Sequence, residues 1–168
     1  MLELRATNND VVAPFATKFK SAKFIPGKKP WELKVDIAMP CAFQNELNGD
    51  DAKALIANGV KAVAEVSNMG CRPEAINAFL AANIPFGPGK AVNAGGVATS
   101  GLEMTQNSMR LSWPAEEVDA NLKRIMNSIH DNAYESAKTF GHEGNYVMGA
   151  NIAGFVKVAD TMIAHGVV

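Results

Sequence analysis

"GPGKAVNAGGVATSGLEM", residues 87–104, decides how this chain is organised. Before it, short apolar runs alternate with helical patterns; after it, only helical patterns remain. The stretch sets five glycines and two hydroxyl residues around Lys90 and Asn93, then runs into a helix. So much bare backbone ahead of a helix has two readings. One is a tight turn packed on a neighbouring element. The other is a small ligand pressed against the main chain, an approach that glycine permits by lacking a Cβ.

Working back from this stretch, "IPFGPG" (84–89) reads as a short strand and "RPEAINAFLAAN" (72–83) as a helix with Pro73 at its first position. "KAVAEV" (61–66) is a second buried strand. "QNELNGDDAKALIANG" (44–59) carries a helix capped by Asn48 or Asp50, with Ala54, Leu55 and Ala57 on its apolar face and Gly59 as its stop. "KVDIAMPCA" (34–42), a β-branched apolar run ended by Pro40, fits a buried strand better than a helix. Upstream, "VVAPFATKFK" (11–20) reads as a short helix with Pro14 in its first turn, "AKFI" (22–25) as a short strand, and "IPGKKPW" (25–31) as a loop.

Forward of the stretch, "GVATSGLEMTQNSMRLSW" (96–113) reads as a helix. Residues 114–141 form a longer one, opened by Pro114, favoured by Glu116 and Glu117, and striped by Val118, Leu122, Ile125 and Ile129. "NYVMGANIAGFVKVADTMIAHG" (145–166) is apolar almost all round, which predicts a helix buried between layers.

Strands alternating with helices of about a dozen residues imply βαβ crossovers and a parallel sheet. The predicted fold class is therefore α/β: a short parallel sheet with flanking helices over 1–95, followed by a helical tail over 96–168. In such sheets ligands bind beyond the carboxyl ends of the strands. "MPCAFQNE", "SNMGC" and "GKAVNAGG" each follow a predicted strand and fall on that one edge.

Composition bounds the function. The 168 residues suffice for one domain with a core; 48% are apolar and 20% charged, as in a soluble globular protein. A net charge of −1 weighs against nucleic-acid binding. The apolar runs are interrupted by Gly, Asn or Lys and the N-terminus lacks an apolar signal core, so neither a membrane span nor secretion is expected. Cys41 and Cys71 stand apart without a CxxC pair, and His130, His142 and His165 show no ligand spacing. No metal site is expected, and a reducing cytoplasm is the default.

Four blocks carry a resemblance: "VDIAMPCAFQNEL" (35–47), "NGVKAVAEVSNM" (58–69), the opening stretch, and "NYVMGANIAGFVKVADTMIAHGVV" (145–168). Together they resemble the C-terminal part of hexameric glutamate dehydrogenases, the bacterial NADP-type branch above all. The likeness implies the C-terminal part of a Rossmann-like cofactor domain over 1–95. It implies an oxidoreductase of amino-acid metabolism and nitrogen assimilation, acting between glutamate and 2-oxoglutarate plus ammonia. By the same resemblance Cys41 and Ala42 lie against the cofactor, Asn68 contacts the nicotinamide ribose, and Asn93 sits between nicotinamide and substrate. Val97 and Ser100 line the substrate pocket, with Ser100 donating to the distal carboxylate.

The family places its catalytic lysine and aspartate in an N-terminal domain, and its glycine-rich pyrophosphate turn in a first βαβ unit. Neither GxGxxG nor GxGxxA stands here. The resemblance thus implies a fragment with no catalytic residue of its own, inactive alone. The other readings are one half of a split enzyme, or a non-catalytic nucleotide-binding or interaction module. Where the family commonly has "EGANMP", this chain has "EVSNMG" (65–70). Where NADP-using members carry basic residues, it reads "TNNDV" (7–11), with Arg5 nearby. NADP is the implied cofactor and NAD stays open. An open sheet edge and an apolar last helix predict self-association, as a dimer or higher homo-oligomer.

Overall fold

A computed structural model describes residues 12–166. Arg5 and the Thr7–Val11 segment, which bear on the choice of nucleotide, lie outside the described residues. The chain forms two compact units, Met1–Pro30 and Trp31–Val168.

In the first unit the predicted helix is short. α1 spans Ala13–Lys18, with Pro14 in its first turn, where its missing N–H costs nothing. The rings of Phe15 and Phe19 meet at a centroid distance of 4.5 Å. The strand expected at 22–25 does not form. Phe24 and Ile25 are exposed, and Pro26 and a Gly27 at φ +69° turn the chain away directly after them. A β-propensity without a partner strand makes no ladder.

In the second unit the predicted α/β order holds. A single 3-10 turn, Pro30–Glu32, sets Trp31 into the core. There follow β1 (Ile37–Ala38), α2 (Gly49–Ala57), β2 (Ala62–Ala64), α3 (Pro73–Ala81), β3 (Phe86–Gly87), α4 (Gly89–Val92), α5 (Ala94–Met109), α6 (Ala115–Thr139) and α7 (Tyr146–His165). The sheet is parallel throughout, in the order β1-β2-β3, with Ala38 opposite Val63 and Val63 opposite Phe86. Each strand is shorter than its apolar run. Pro40, Pro85 and Pro88 stand at the strand ends and cannot donate to a ladder.

Asn48 is the cap of α2. Its side chain accepts from the N–H groups of Asp50 and Asp51, while Asp51 accepts from the N–H of Asn48, a reciprocal capping box. Of the expected apolar face, Leu55 is fully buried, Ala54 half-buried and Ala57 exposed; Ala52 takes the place expected of Ala57. Gly59 stops the helix at φ +80°. α2 and α3 pack together, and with Val63, Phe79 and Phe86 they enclose the core.

The opening stretch is not a glycine-rich turn ahead of a helix. Gly89 begins α4, Asn93 is the junction, and Gly95, Gly96 and Gly101 lie inside α5. α6 has its predicted span within two residues, and its stripe from Val118 to Ile129 is half-buried.

α7 departs from expectation. By length and composition it could cross a membrane. It packs on α6 and reaches β3, but only Gly149 is buried. Phe155, Val158, Met162 and Ile163 are exposed, with Phe155 at 72%. Apolar composition says that a face favours cover, and here α6 covers only one side.

Candidate functional site

Of the three segments beyond the strand carboxyl ends, the loops after β1 and β2 are stitched to one another by backbone hydrogen bonds. After β1 the chain runs through Met39–Leu47, and after β2 through Glu65–Cys71. The N–H groups of Val66 and Ser67 donate to Pro40 O, that of Asn45 donates to Met69 O at 2.7 Å, and that of Leu47 donates to Gly70 O at 3.0 Å. Asn45 and Met69 hold left-handed backbone at φ 56° and 52°. That region is uncommon for a methionine and recurs at functional sites. Here it reverses the chain directly after Asn68.

The departure from the family's "EGANMP" has a physical account. A Cβ at Gly70 would fall 2.4 Å from Ser67 Oγ and 3.3 Å from Pro40 Cβ. Ser67 fills that space and donates its hydroxyl to Phe43 O at 3.2 Å. Ser67 and Gly70 are therefore one coupled feature.

Asn68 and Asn93 come together. The Asn93 amide nitrogen donates to the Asn68 carbonyl oxygen, across the mouth of a cleft of about 390 Å³. Asn45, Glu65, Gly89 and Lys90 also line it. Asn93 is held from behind as well, its backbone N–H donating to Gly89 O at 2.9 Å. Cys41 and Ala42 lie on the same sheet edge, exposed, outside this cleft; the Ala42 N–H donates to Glu46 Oε2 at 2.9 Å. Val97 and Ser100 follow Asn93 at helical spacing on α5, one turn apart and exposed, Val97 at 73%.

The glycines of this stretch divide by cause. At Gly87 a Cβ would meet Val92 Cγ2 at 2.7 Å, and at Gly89 it would meet Ser67 O at 3.0 Å and Glu65 Oε2 at 3.1 Å. Those two serve close packing. At Gly96 and Gly101 nothing lies within 4 Å. Nothing in the described fold demands glycine there, and the bare helix face beside Val97 and Ser100 leaves room for a ligand. For the nicotinamide end of a dinucleotide, the paired amides, the exposed hydroxyl and the open backbone fit.

Two contributors were given no role by the sequence reading, although Lys90 stands in the opening stretch. Glu65 is 5% exposed and both its oxygens accept backbone N–H groups, from Cys71 at 2.8 Å and from Gly89 at 2.7 Å. Its signal was a lone charge inside the apolar run "KAVAEV". Lys90 donates its ammonium to Asn151 Oδ1, tying α4 to α7. Among the histidines, His130 is engaged, its Nε2 3.1 Å from Tyr146 Oη and its Nδ1 3.0 Å from Asp131.

The two cysteines differ sharply. Burial pushes the Cys71 thiol up to about 12, and the carboxylates of Glu65 and Glu46 add to the effect. Cys41 is exposed. Since the thiolate is the reactive form, a thiol–disulfide reagent at neutral pH is expected to label the native chain at Cys41 alone. Cys41→Ser should abolish that labelling, and denaturation should release the second thiol. Rapid native labelling of the Cys41→Ser variant would refute this.

The sequence profile of the glutamate/leucine/phenylalanine/valine dehydrogenase family matches residues 1–166. The chain is 58% identical over 168 residues to the NAD-specific glutamate dehydrogenase of Bacteroides fragilis, an alignment covering 100% of this chain and 38% of that protein. It is 56% identical over 168 residues to the NADP-specific glutamate dehydrogenase of Haemophilus influenzae, covering 99% of this chain and 37% of that protein. A solved glutamate dehydrogenase superposes with a TM-score of 0.93 at 49% identity, over 99% of this chain and 37% of the solved one. The chain thus spans 37–38% of the length of these relatives. With the profile running over nearly every residue and the paired asparagines standing at the sheet's carboxyl edge, the chain belongs to the glutamate/leucine/phenylalanine/valine dehydrogenase family.

Proposed function

We propose that this chain supplies the nicotinamide- and substrate-facing edge of a glutamate dehydrogenase. The reaction is the reversible oxidative deamination of L-glutamate to 2-oxoglutarate and ammonia. Residues 1–95 serve as part of the cofactor domain and 96–168 as the helical segment packed on it. One observation carries the reading: Asn68, in the loop after β2, and Asn93, at the α4–α5 junction that follows β3, meet at one cleft. The names and identities of the relatives support it.

On this reading Asn68 and Asn93 hold the ribose and carboxamide end of NADP, or of NAD. Cys41 and Ala42 flank it with small side chains. The chemistry that a bound nicotinamide would supply here is hydride acceptance. Asn93, Val97 and Ser100 orient the dicarboxylate, Ser100 by donating its hydroxyl to the distal carboxylate and Val97 by excluding water beside it. No catalytic proton carrier is assigned to this chain. The exposed apolar residues of α7 support self-association, and the two unpaired cysteines support a cytoplasmic setting.

Calorimetric titration of the 168-residue chain with NADPH and NADH, with and without 2-oxoglutarate, tests the proposal. Saturable binding, strengthened by 2-oxoglutarate, is expected. Asn93→Ala should weaken nucleotide binding about tenfold, on the scale of an orphaned hydrogen-bonding group. Ser100→Ala should remove the enhancement by 2-oxoglutarate and leave the nucleotide affinity unchanged. Absence of nucleotide binding, or an Asn93→Ala variant that binds as well as the parent, would overturn it.

A further inference from the structure

Glu65 follows β2 directly and is the one buried charged residue among those described. Taking a carboxylate out of water is costly unless its oxygens are fully hydrogen-bonded. Here they are. Oε1 accepts from the Cys71 N–H at 2.8 Å and Oε2 from the Gly89 N–H at 2.7 Å. The Glu65 N–H itself donates to Gly87 O at 2.9 Å. One residue therefore grips three points: the end of β3, the start of α4, and the end of the loop that carries Asn68.

The grip leads straight to the paired amides. Gly89, pressed onto Glu65 Oε2 and Ser67 O so closely that a Cβ would crowd both, accepts from the Asn93 N–H at 2.9 Å. Asn93 therefore stands one helical turn above the residue that Glu65 holds. Asn68 lies three residues beyond Glu65, in the loop whose far end, Cys71, Glu65 also holds. The Asn93 amide then donates to Asn68 and closes the circuit. A carboxylate is all acceptor, so it can take both N–H groups at once; an amide of the same shape offers one acceptor and one donor. Charge-assisted bonds are also shorter and stronger than neutral ones.

We infer that Glu65 is a positioning residue for the site: its buried carboxylate clamps the loops after β2 and β3 so that the Asn68 and Asn93 amides face one ligand together. Both its oxygens are taken by backbone N–H groups, and it acts through Asn68 and Asn93. The inference rests on the proposed function for its binding arm only; the clamp itself is read independently.

Two measurements separate these. In amide-resolved spectra of the 168-residue chain, Glu65→Gln is expected to move the backbone signals of Gly89 or Cys71, and with them the side-chain amide signals of Asn68 and Asn93. In nucleotide titrations Glu65→Gln should bind NADPH about tenfold more weakly than the parent, the scale of one buried donor left facing another donor. On a background lacking both amides, Asn68→Ala/Asn93→Ala, adding Glu65→Gln should cause no further loss, since a residue that acts through others adds nothing once they are gone. Should Glu65→Gln fail to fold, Glu65→Asp replaces it; one methylene shorter, it keeps the charge and is expected to hold only one of the two N–H groups. Unchanged Asn68 and Asn93 side-chain signals, unchanged NADPH affinity in a folded Glu65 variant, or a further loss from Glu65→Gln on the Asn68→Ala/Asn93→Ala background would each overturn the clamp. A parent chain that binds no nucleotide would overturn the proposed function, while the spectra would still decide whether Glu65 holds the asparagines.

Discussion

Gly149→Ala is expected to destabilise the chain by about 3 kcal/mol, against the usual gain from placing alanine in a helix. The reason is the crossing of α6 and α7. A Cβ on Gly149 would lie 1.9 Å from the carbonyl oxygen of Ala133, 2.8 Å from its carbonyl carbon, and 3.0 Å from Ala137 Cβ. Two of these three atoms are backbone, and no rotamer change relieves the clash. The helices would have to separate, and Ala133 and Ala137, at 3% and 0% exposure, would lose their cover. Gly154, on the same helix, has nothing within 4 Å of its virtual Cβ. Gly154→Ala should therefore stabilise by up to about 1 kcal/mol, the propensity term alone. Urea midpoints at constant slope read both effects. Shifts of the same sign in the two variants would show that the α6–α7 crossing is not as close as described.

Phe79→Ala should cost about 3–5 kcal/mol, the range for removing a large aromatic side chain from a core. Its ring, fully buried on α3, stacks on that of Phe86 in β3, with centroids 6.0 Å apart and planes 17° from parallel. Stability of a domain this size is of the order of 10 kcal/mol, so the loss is a large share of the whole. The effect also reaches the site. Phe86 lines the cleft and stands one residue before Gly87, whose carbonyl accepts from Glu65. A void behind Phe86 loosens that anchor, so nucleotide affinity should fall alongside stability. Phe79→Leu, which keeps much of the volume, should cost far less than Phe79→Ala. Phe155→Ala, at a ring 72% exposed, should move the midpoint by no more than about 0.5 kcal/mol. Equal losses at Phe79 and Phe155 would contradict the placement of the core.

Much of the fold was legible because its signals are local. Period and punctuation placed strands within 34–42, 61–66 and 84–89, where Ile37–Ala38, Ala62–Ala64 and Phe86–Gly87 form, and the α6 stripe from Val118 to Ile129. Of the two candidate caps, Asn48 and Asp50, the structure uses Asn48, and Gly59 is the expected stop. The alternation of strand and helix then put the loops carrying Cys41, Asn68 and Asn93 on one sheet edge, before any distance was known. Where a competing local signal existed, the reading failed: prolines stand by the ends of β1 and β3, and "AKFI" found no partner to pair with.

What only the tertiary structure decided depends on contacts between residues far apart in the chain. Nothing local in "YVMGANIAG" tells Gly149, wedged against Ala133, from Gly154, facing open space; the difference is the path of another helix. An apolar α7 states that a face favours burial, but whether it is buried depends on what packs there, and α6 covers one side only. Asn68 and Asn93 were each marked out by resemblance, yet their hydrogen bond, and the carboxylate of Glu65 that sets both loops, join three segments across the sheet. Dihedral preference and hydrophobic period act over a few residues and are written in the sequence; burial and hydrogen-bond partnership are properties of the packed chain.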